Sequence, residues 1–285
     1  MPANPRPPFG QAIRRVGIRE PWLRDLYHRM VTIRWRSFAA ISVIGYLLVN
    51  AIFAGLFMLQ PNSISGARPG SAWDAFFFSV QTIATIGYGV MAPATFYANL
   101  LVLVETVVGL FLLALGTGVL FARASRPTAR VLFSSVVTIA PWNGVPTLSI
   151  RMGNERRSQI LEADVAVHLL RFERSPEGVV MRRFHTLPLE RSHTPLFNLS
   201  YTALHRILPG SPLDGATAES LEAEGVDLLV TVTGTEEATG QVVHARQSYP
   251  AAAILFERRY RDIFVQDARG ERLLDYRFFD QTEAT

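Results

Sequence analysis

Cysteine and lysine are both missing from the 285 residues. Without thiols there is neither a disulfide framework nor a thiolate metal site. Without lysine, all 28 basic side chains are arginines and no phosphate-cradling Gly-Lys motif exists. The six histidines (His28, His168, His185, His193, His205, His244) lack short metal-ligand spacing. No nucleophile elbow and no pair of catalytic carboxylates stand out, so the chain does not read as an enzyme. Nothing points to nucleic acid or to a cofactor. Charge is scarce over residues 38–121 and returns after about Arg123, so the chain divides into a membrane part and a water-soluble part.

The uncharged run Phe38–Leu59 covers 22 residues, about 33 Å of helix and enough to span a bilayer. A second run, Phe96–Phe121, is broken only by Asn99, Glu105 and two threonines. Eight arginines precede the first span, and Arg123, Arg126 and Arg130 follow the second, whereas the intervening loop has only Arg68. Basic residues collect on the cytoplasmic side, which predicts both termini inside a cell (inner) membrane and residues 60–95 outside. The Pro-rich, polar N-terminus does not read as a cleaved signal. Over residues 19–35, Trp22, Leu26, Met30 and Ile33 recur at helical spacing, which predicts an amphipathic helix on the inner membrane surface.

Between the spans, Trp73–Ile83 is apolar but too short to cross, and predicts a re-entrant half-helix. Ser71 followed by Asp74 predicts a capping box at its outer end. Its partially negative C-terminus then points toward the middle of the membrane, where a cation is favoured. Directly after it comes Thr85-Ile86-Gly87-Tyr88-Gly89. A ring of backbone carbonyls in such a string replaces the hydration shell of K+, and irregular backbone at this depth is tolerated only along an ion or water path. One chain supplies one wall, so three further identical subunits are required. Glu105 lies about 14 Å into the second span by helical rise. A carboxyl group there is costly, and it is expected near Gln81 or Thr82, steadying the filter. Gly109, Gly116 and Gly118 serve either as bends or as close helix contacts.

From Trp22 to about Tyr276 the chain resembles the inward-rectifier potassium channels, most closely their prokaryotic group. The resemblance is carried by Phe77-Phe78-Ser79-Val80, the filter string, Phe121-Ala122-Arg123-Ala124-Ser125-Arg126-Pro127, Ile160-Leu161-Glu162-Ala163, Gly234-Thr235 and Ala245-Arg246-Gln247-Ser248-Tyr249. It implies an apolar gate at Leu120 and Phe121, phosphoinositide or other anionic phospholipid contacts at Arg123, Arg126 and Arg130, and an immunoglobulin-like cytoplasmic domain. Val90 stands where prokaryotic relatives carry Asp. Gln81 and Met91 replace a Glu and Arg pair of animal members. Leu113 replaces the acidic cavity residue of strong rectifiers, so rectification is the weaker expectation.

After Pro127, Leu161, Ala163, Val165, Val167 and Leu169 alternate with Glu162, Asp164, Ala166 and His168, the pattern of a half-buried strand. Further strands are predicted at 148–151, 178–186, 228–233, 241–249, 252–260 and 272–276, together a β-sandwich. The expected organisation is a cytoplasmic N-terminus with interfacial helix (1–36), a two-span pore domain with re-entrant helix (37–122), and a linker with all-β sandwich (123–285). Two rivals are a channel gated by another cytoplasmic ligand and a non-conducting, membrane-anchored binding protein. The second leaves the filter string unexplained.

Overall fold

The computed structural model describes residues 26–126, 129–266 and 270–285. The chain forms two compact units that divide after Arg126, four residues beyond the boundary expected at 122.

In the first unit, α1 (Leu26–Thr32) is followed after two residues by α2 (Trp35–Met58). The part of the expected interfacial helix before residue 26 lies outside the described residues, and the remainder stops at Thr32 instead of continuing to 35. Strand β1 (Ile64–Ser65), helix α3 (Ala72–Ile83), strand β2 (Ala92–Pro93) and helix α4 (Phe96–Ala124) complete the unit. Helices α2 and α4 are long and apolar enough to cross a bilayer, and most of their large side chains are exposed.

Helix α3 starts as expected, with Ser71 Oγ accepting from the Asp74 amide at 3.2 Å. The second half of the expected capping box is not made. The Asp74 carboxylate instead accepts from the Arg68 amide at 2.8 Å and from its guanidinium at 3.0 and 2.7 Å. Asp is one methylene shorter than the usual Glu at this position, and Arg68 offers a forked donor. A buried cluster of Phe53, Ala54, Phe57, Ile64, Ala75, Phe78 and Ala98 wedges α3 against α2 and the start of α4, with Phe57 and Phe78 edge to face at 5.1 Å.

Among its described residues the second unit is all-β apart from one short α-helix and two single 3-10 turns, Ala251–Ala253 and Tyr276–Phe278. Its strands are β3 (Val131–Phe133), β4 (Val137–Trp142), β5 (Val145–Asn154), β6 (Ile160–Arg174), β7 (Val180–Leu187), β8 (His193–Phe197) and β9 (Ser200–Arg206). After α5 (Ala218–Ala223) come β10 (Asp227–Glu236), β11 (Gln241–Pro250), β12 (Ile254–Phe256), β13 (Arg258–Tyr260), β14 (Phe264–Gln266), β15 (Arg272–Leu274) and β16 (Thr282–Ala284). One five-stranded sheet runs β11-β10-β6-β7 with β8 also on β6; the other runs β12-β4-β5-β3 with β9 also on β5. Inward residues of β5 (Leu148, Ile150, Met152), β6 (Ala163, Val165, Val167, Leu169) and β10 (Leu228, Val230, Val232) form one core between the sheets. Their spacing of two is the pleat of a strand.

Two expectations are corrected here. Leu161 is only half-buried and Ile160 points inward in its place, because Glu162, at φ 48°, and Ala163 together oppose Gly234 in a β-bulge. The strand expected over 252–260 is split in two. Glu257, at φ 56°, separates β12, which pairs with β4, from β13, which pairs with β16.

Candidate ion filter and its supports

The backbone of the filter string alternates. Thr85, Gly87 and Gly89 have φ of 56°, 56° and 82°, while Ile86 and Tyr88 do not enter the left-handed region. Alternating left- and right-handed residues turn successive carbonyls toward one side, the arrangement a carbonyl-lined path needs. The two glycines were legible as the positions permitting this; Thr85, which pays a steric penalty there, was not. The string is tied to α3 by Thr85 N to Thr82 O at 3.0 Å and Ile86 N to Gln81 O at 2.8 Å.

The C-terminal end of the string is held by the segment that follows α2. Residues Ile64 and Ser65 pair with Pro93 and Ala92, Ala94 N donates to Ser63 O at 2.8 Å, and Ser65 Oγ donates to Ala92 O at 3.0 Å. A Cβ on Gly66 would stand 2.0 Å from the Val90 carbonyl oxygen, and the residue has φ 76°. Only glycine fits on both counts.

Behind the string, the expected support differs from the one observed. Glu105 meets neither Gln81 nor Thr82. Its Oε1 is hydrogen-bonded to Ser79 Oγ, and Ser79 Oγ lies 3.1 Å from Asn50 Oδ1. The Thr82 hydroxyl donates to Phe78 O in its own helix at 2.8 Å, and Gln81, half-buried, contributes its main-chain carbonyl. The reason is helical phase. Glu105 and Gly109, one turn apart on α4, face Ser79 and Ile83, one turn apart on α3. A Cβ on Gly109 would stand 3.3 Å from the Ile83 carbonyl oxygen and 3.3 Å from its Cγ2. Gly109 is therefore a close helix contact, whereas Gly116 and Gly118 face open space within an unbroken helix. Asn50 and Ser79 were missed as site residues; their only signal was polarity within apolar segments.

Toward the C-terminal end of α4, Leu113, Leu120 and Phe121 are exposed. Arg123 is not offered to the surroundings as the resemblance implied. It is 8% exposed, and its guanidinium donates to the carbonyls of Met30 and, at 2.6 Å, Ile33. It also lies 4.7 Å from the ring centroids of both Trp35 and Phe38. The last carbonyls of a helix have no partner within it, and a cation there also suits the helix dipole. Arg126 is exposed and donates to Val31 O at 3.1 Å, and Arg130 is exposed in the other unit.

Residues 131–285 match the family model for the inward rectifier potassium channel C-terminal domain, and residues 38–126 match the ion channel model. The inward rectifier potassium channel Kirbac3.1 of Paramagnetospirillum magnetotacticum is 45% identical over 264 residues, covering 92% of this chain and 90% of that protein. Inward rectifier potassium channel 18 of Homo sapiens is 29% identical over 283 residues, covering 92% of this chain and 65% of its own length. G protein-activated inward rectifier potassium channel 3 of Mus musculus is 27% identical, with 92% and 72% covered. With a carbonyl string behind a capped half-helix, two apolar helices and a β-sandwich, the chain belongs to the inward-rectifier potassium channel family, in its prokaryotic group.

Proposed function

We propose that four copies of the chain surround one ion path, and that the carbonyls of Thr85, Ile86, Gly87, Tyr88 and Gly89 strip and replace the water of K+, the transported ion, without a cofactor. The observation that carries this reading is the alternation of φ at Thr85, Gly87 and Gly89 behind a half-helix whose C-terminus ends at the string. Conduction is passive, through an inner membrane with both termini on the cytoplasmic side. Leu120 and Phe121 form the inner constriction, which closes by excluding water. Leu113 in place of an acidic residue leaves the cavity without a ring of charge for polyamines. Anionic phospholipid headgroups act through Arg126 and Arg130, each worth about 1 kcal/mol of attraction beside an anionic leaflet. Arg123, already bound to carbonyls, joins the end of α4 to the end of α1.

The test is 86Rb+ uptake into liposomes, with Na+ as comparison. Barium-blocked uptake that follows K+ over Na+ is expected; a well-folded tetramer without cation flux sinks the proposal. In the same assay, Arg126→Gln and Arg130→Gln, each tested alone, weaken the response to added anionic lipid, and an unchanged response removes that residue as a lipid contact.

A further inference from the structure

Asn50, Ser79 and Glu105, one from each of α2, α3 and α4, are all fully enclosed. Their hydrogen bonds can be counted proton by proton. Asn50 Nδ2 donates to the Tyr46 carbonyl at 2.8 Å. That fixes the amide, so the atom facing Ser79 is Oδ1, which only accepts. Ser79 Oγ carries one proton, yet it is within hydrogen-bond reach of both Asn50 Oδ1 and Glu105 Oε1. If Glu105 were a carboxylate, one of these two contacts would set lone pair against lone pair, in an interior where the conflict is not screened.

One proton on Glu105 Oε1 resolves it. The carboxyl group then donates to Ser79, Ser79 to Asn50, and Asn50 to the Tyr46 carbonyl. The remaining oxygen, Oε2, is buried without a partner. As the carbonyl oxygen of a neutral acid it is far cheaper to leave so than as half of a carboxylate. Among the described residues no cation neighbours Glu105 to offset a negative charge.

We infer that Glu105 is held as a neutral carboxylic acid, the donor at the head of a directional chain from Glu105 through Ser79 and Asn50 to the Tyr46 carbonyl. The chain fixes the rotation of α3 between the two spans. Ser79 lies six residues before Thr85, and the last turn of α3 carries the first filter residues through Gln81 O and Thr82 O. Glu105 is thus a positioning residue for the filter, and it acts as an acid, not as a charge. The positioning role rests on reading Thr85–Gly89 as the filter; the protonation state does not.

Infrared difference spectroscopy of the tetramer in lipid at neutral pH tests the assignment directly. A carbonyl stretch of a protonated carboxylic acid is expected in the unaltered protein and lost in Glu105→Gln. The glutamine amide supplies an N–H donor in the same place, so Glu105→Gln is expected to assemble and to keep K+-over-Na+ uptake. Glu105→Leu and Ser79→Ala, which break the chain, are expected to lose that selectivity. The inference is overturned if no protonated-acid band disappears in Glu105→Gln, if that variant fails to assemble, or if it loses selectivity as fully as Glu105→Leu. Absence of flux from the unaltered protein would count against the filter reading and leave the infrared result standing.

Discussion

Arg151 and His205 of the sandwich are buried against main-chain carbonyls, while at the centre of the pore unit Asn50, Ser79 and Glu105 are joined side chain to side chain. In the sandwich, the Arg151 guanidinium donates to the carbonyls of Arg261 and Phe279 at 2.7 and 3.2 Å, and His205 Nδ1 donates to Pro188 O at 2.7 Å. In the pore unit, Ser79 bridges Asn50 and Glu105 side chain to side chain. The difference follows from backbone accounting. Mid-helix carbonyls already accept from the amide four residues on and can offer only a second acceptance, as Tyr46 O does to Asn50 Nδ2, so a contact between helices here runs through side chains. Loops between strands leave carbonyls free. Arg123 supports the same rule, because the carbonyls it finds lie at the end of α1, where helical partners run out.

The contrast can be broken or sharpened by substitution. Gly66→Ala is expected to have the largest effect, losing K+-selective uptake, since a Cβ there would stand 2.0 Å from the Val90 carbonyl. Normal selectivity in that variant would show that the segment after α2 does not hold the filter. Leu148→Ala empties part of a fully buried core position and should cost the sandwich about 2–5 kcal/mol. Thermal melting reads that loss, while the K+/Na+ ratio stays unchanged; a changed ratio means the two units are not separable in this way. Phe121→Ala should raise basal 86Rb+ uptake by widening the inner constriction, and unaltered uptake would remove Phe121 as the gate.

The smallest effect is one of pH. Burial lowers the pKa of His205 despite its hydrogen bond to Pro188. Its folded pKa is therefore below the unfolded value of about 6.5, so its contribution is full above that pH and lost as pH falls. His193 is shifted the other way, chiefly by its hydrogen bond to Asp164, and stabilises on acidification. Because His193 is exposed and solvent-screened, His205 should dominate. Melting temperature should drop as pH falls below about 6.5 and drop less in His205→Asn; an equal drop excludes His205 as the source.

Much of this protein is legible in its sequence alone. Span lengths, arginine asymmetry, the half-helix and the filter string are local signals, set by bilayer thickness, by charge at an interface and by carbonyl chemistry. Alternation finds β6 and β10 but not the six-residue β4 or the seven-residue β9, nor the short strands β3, β8, β14 and β16, whose few residues carry too little periodicity. Nor does it find the bulge at Glu162, which depends on Gly234 some seventy residues away. Local pattern also places Glu105 in the membrane correctly as a residue needing a partner. Which partner it has, which way Arg123 turns and which of three glycines is a contact depend on the phase of one helix against another. That phase is decided by packing between residues far apart in sequence, so only the tertiary structure determines it.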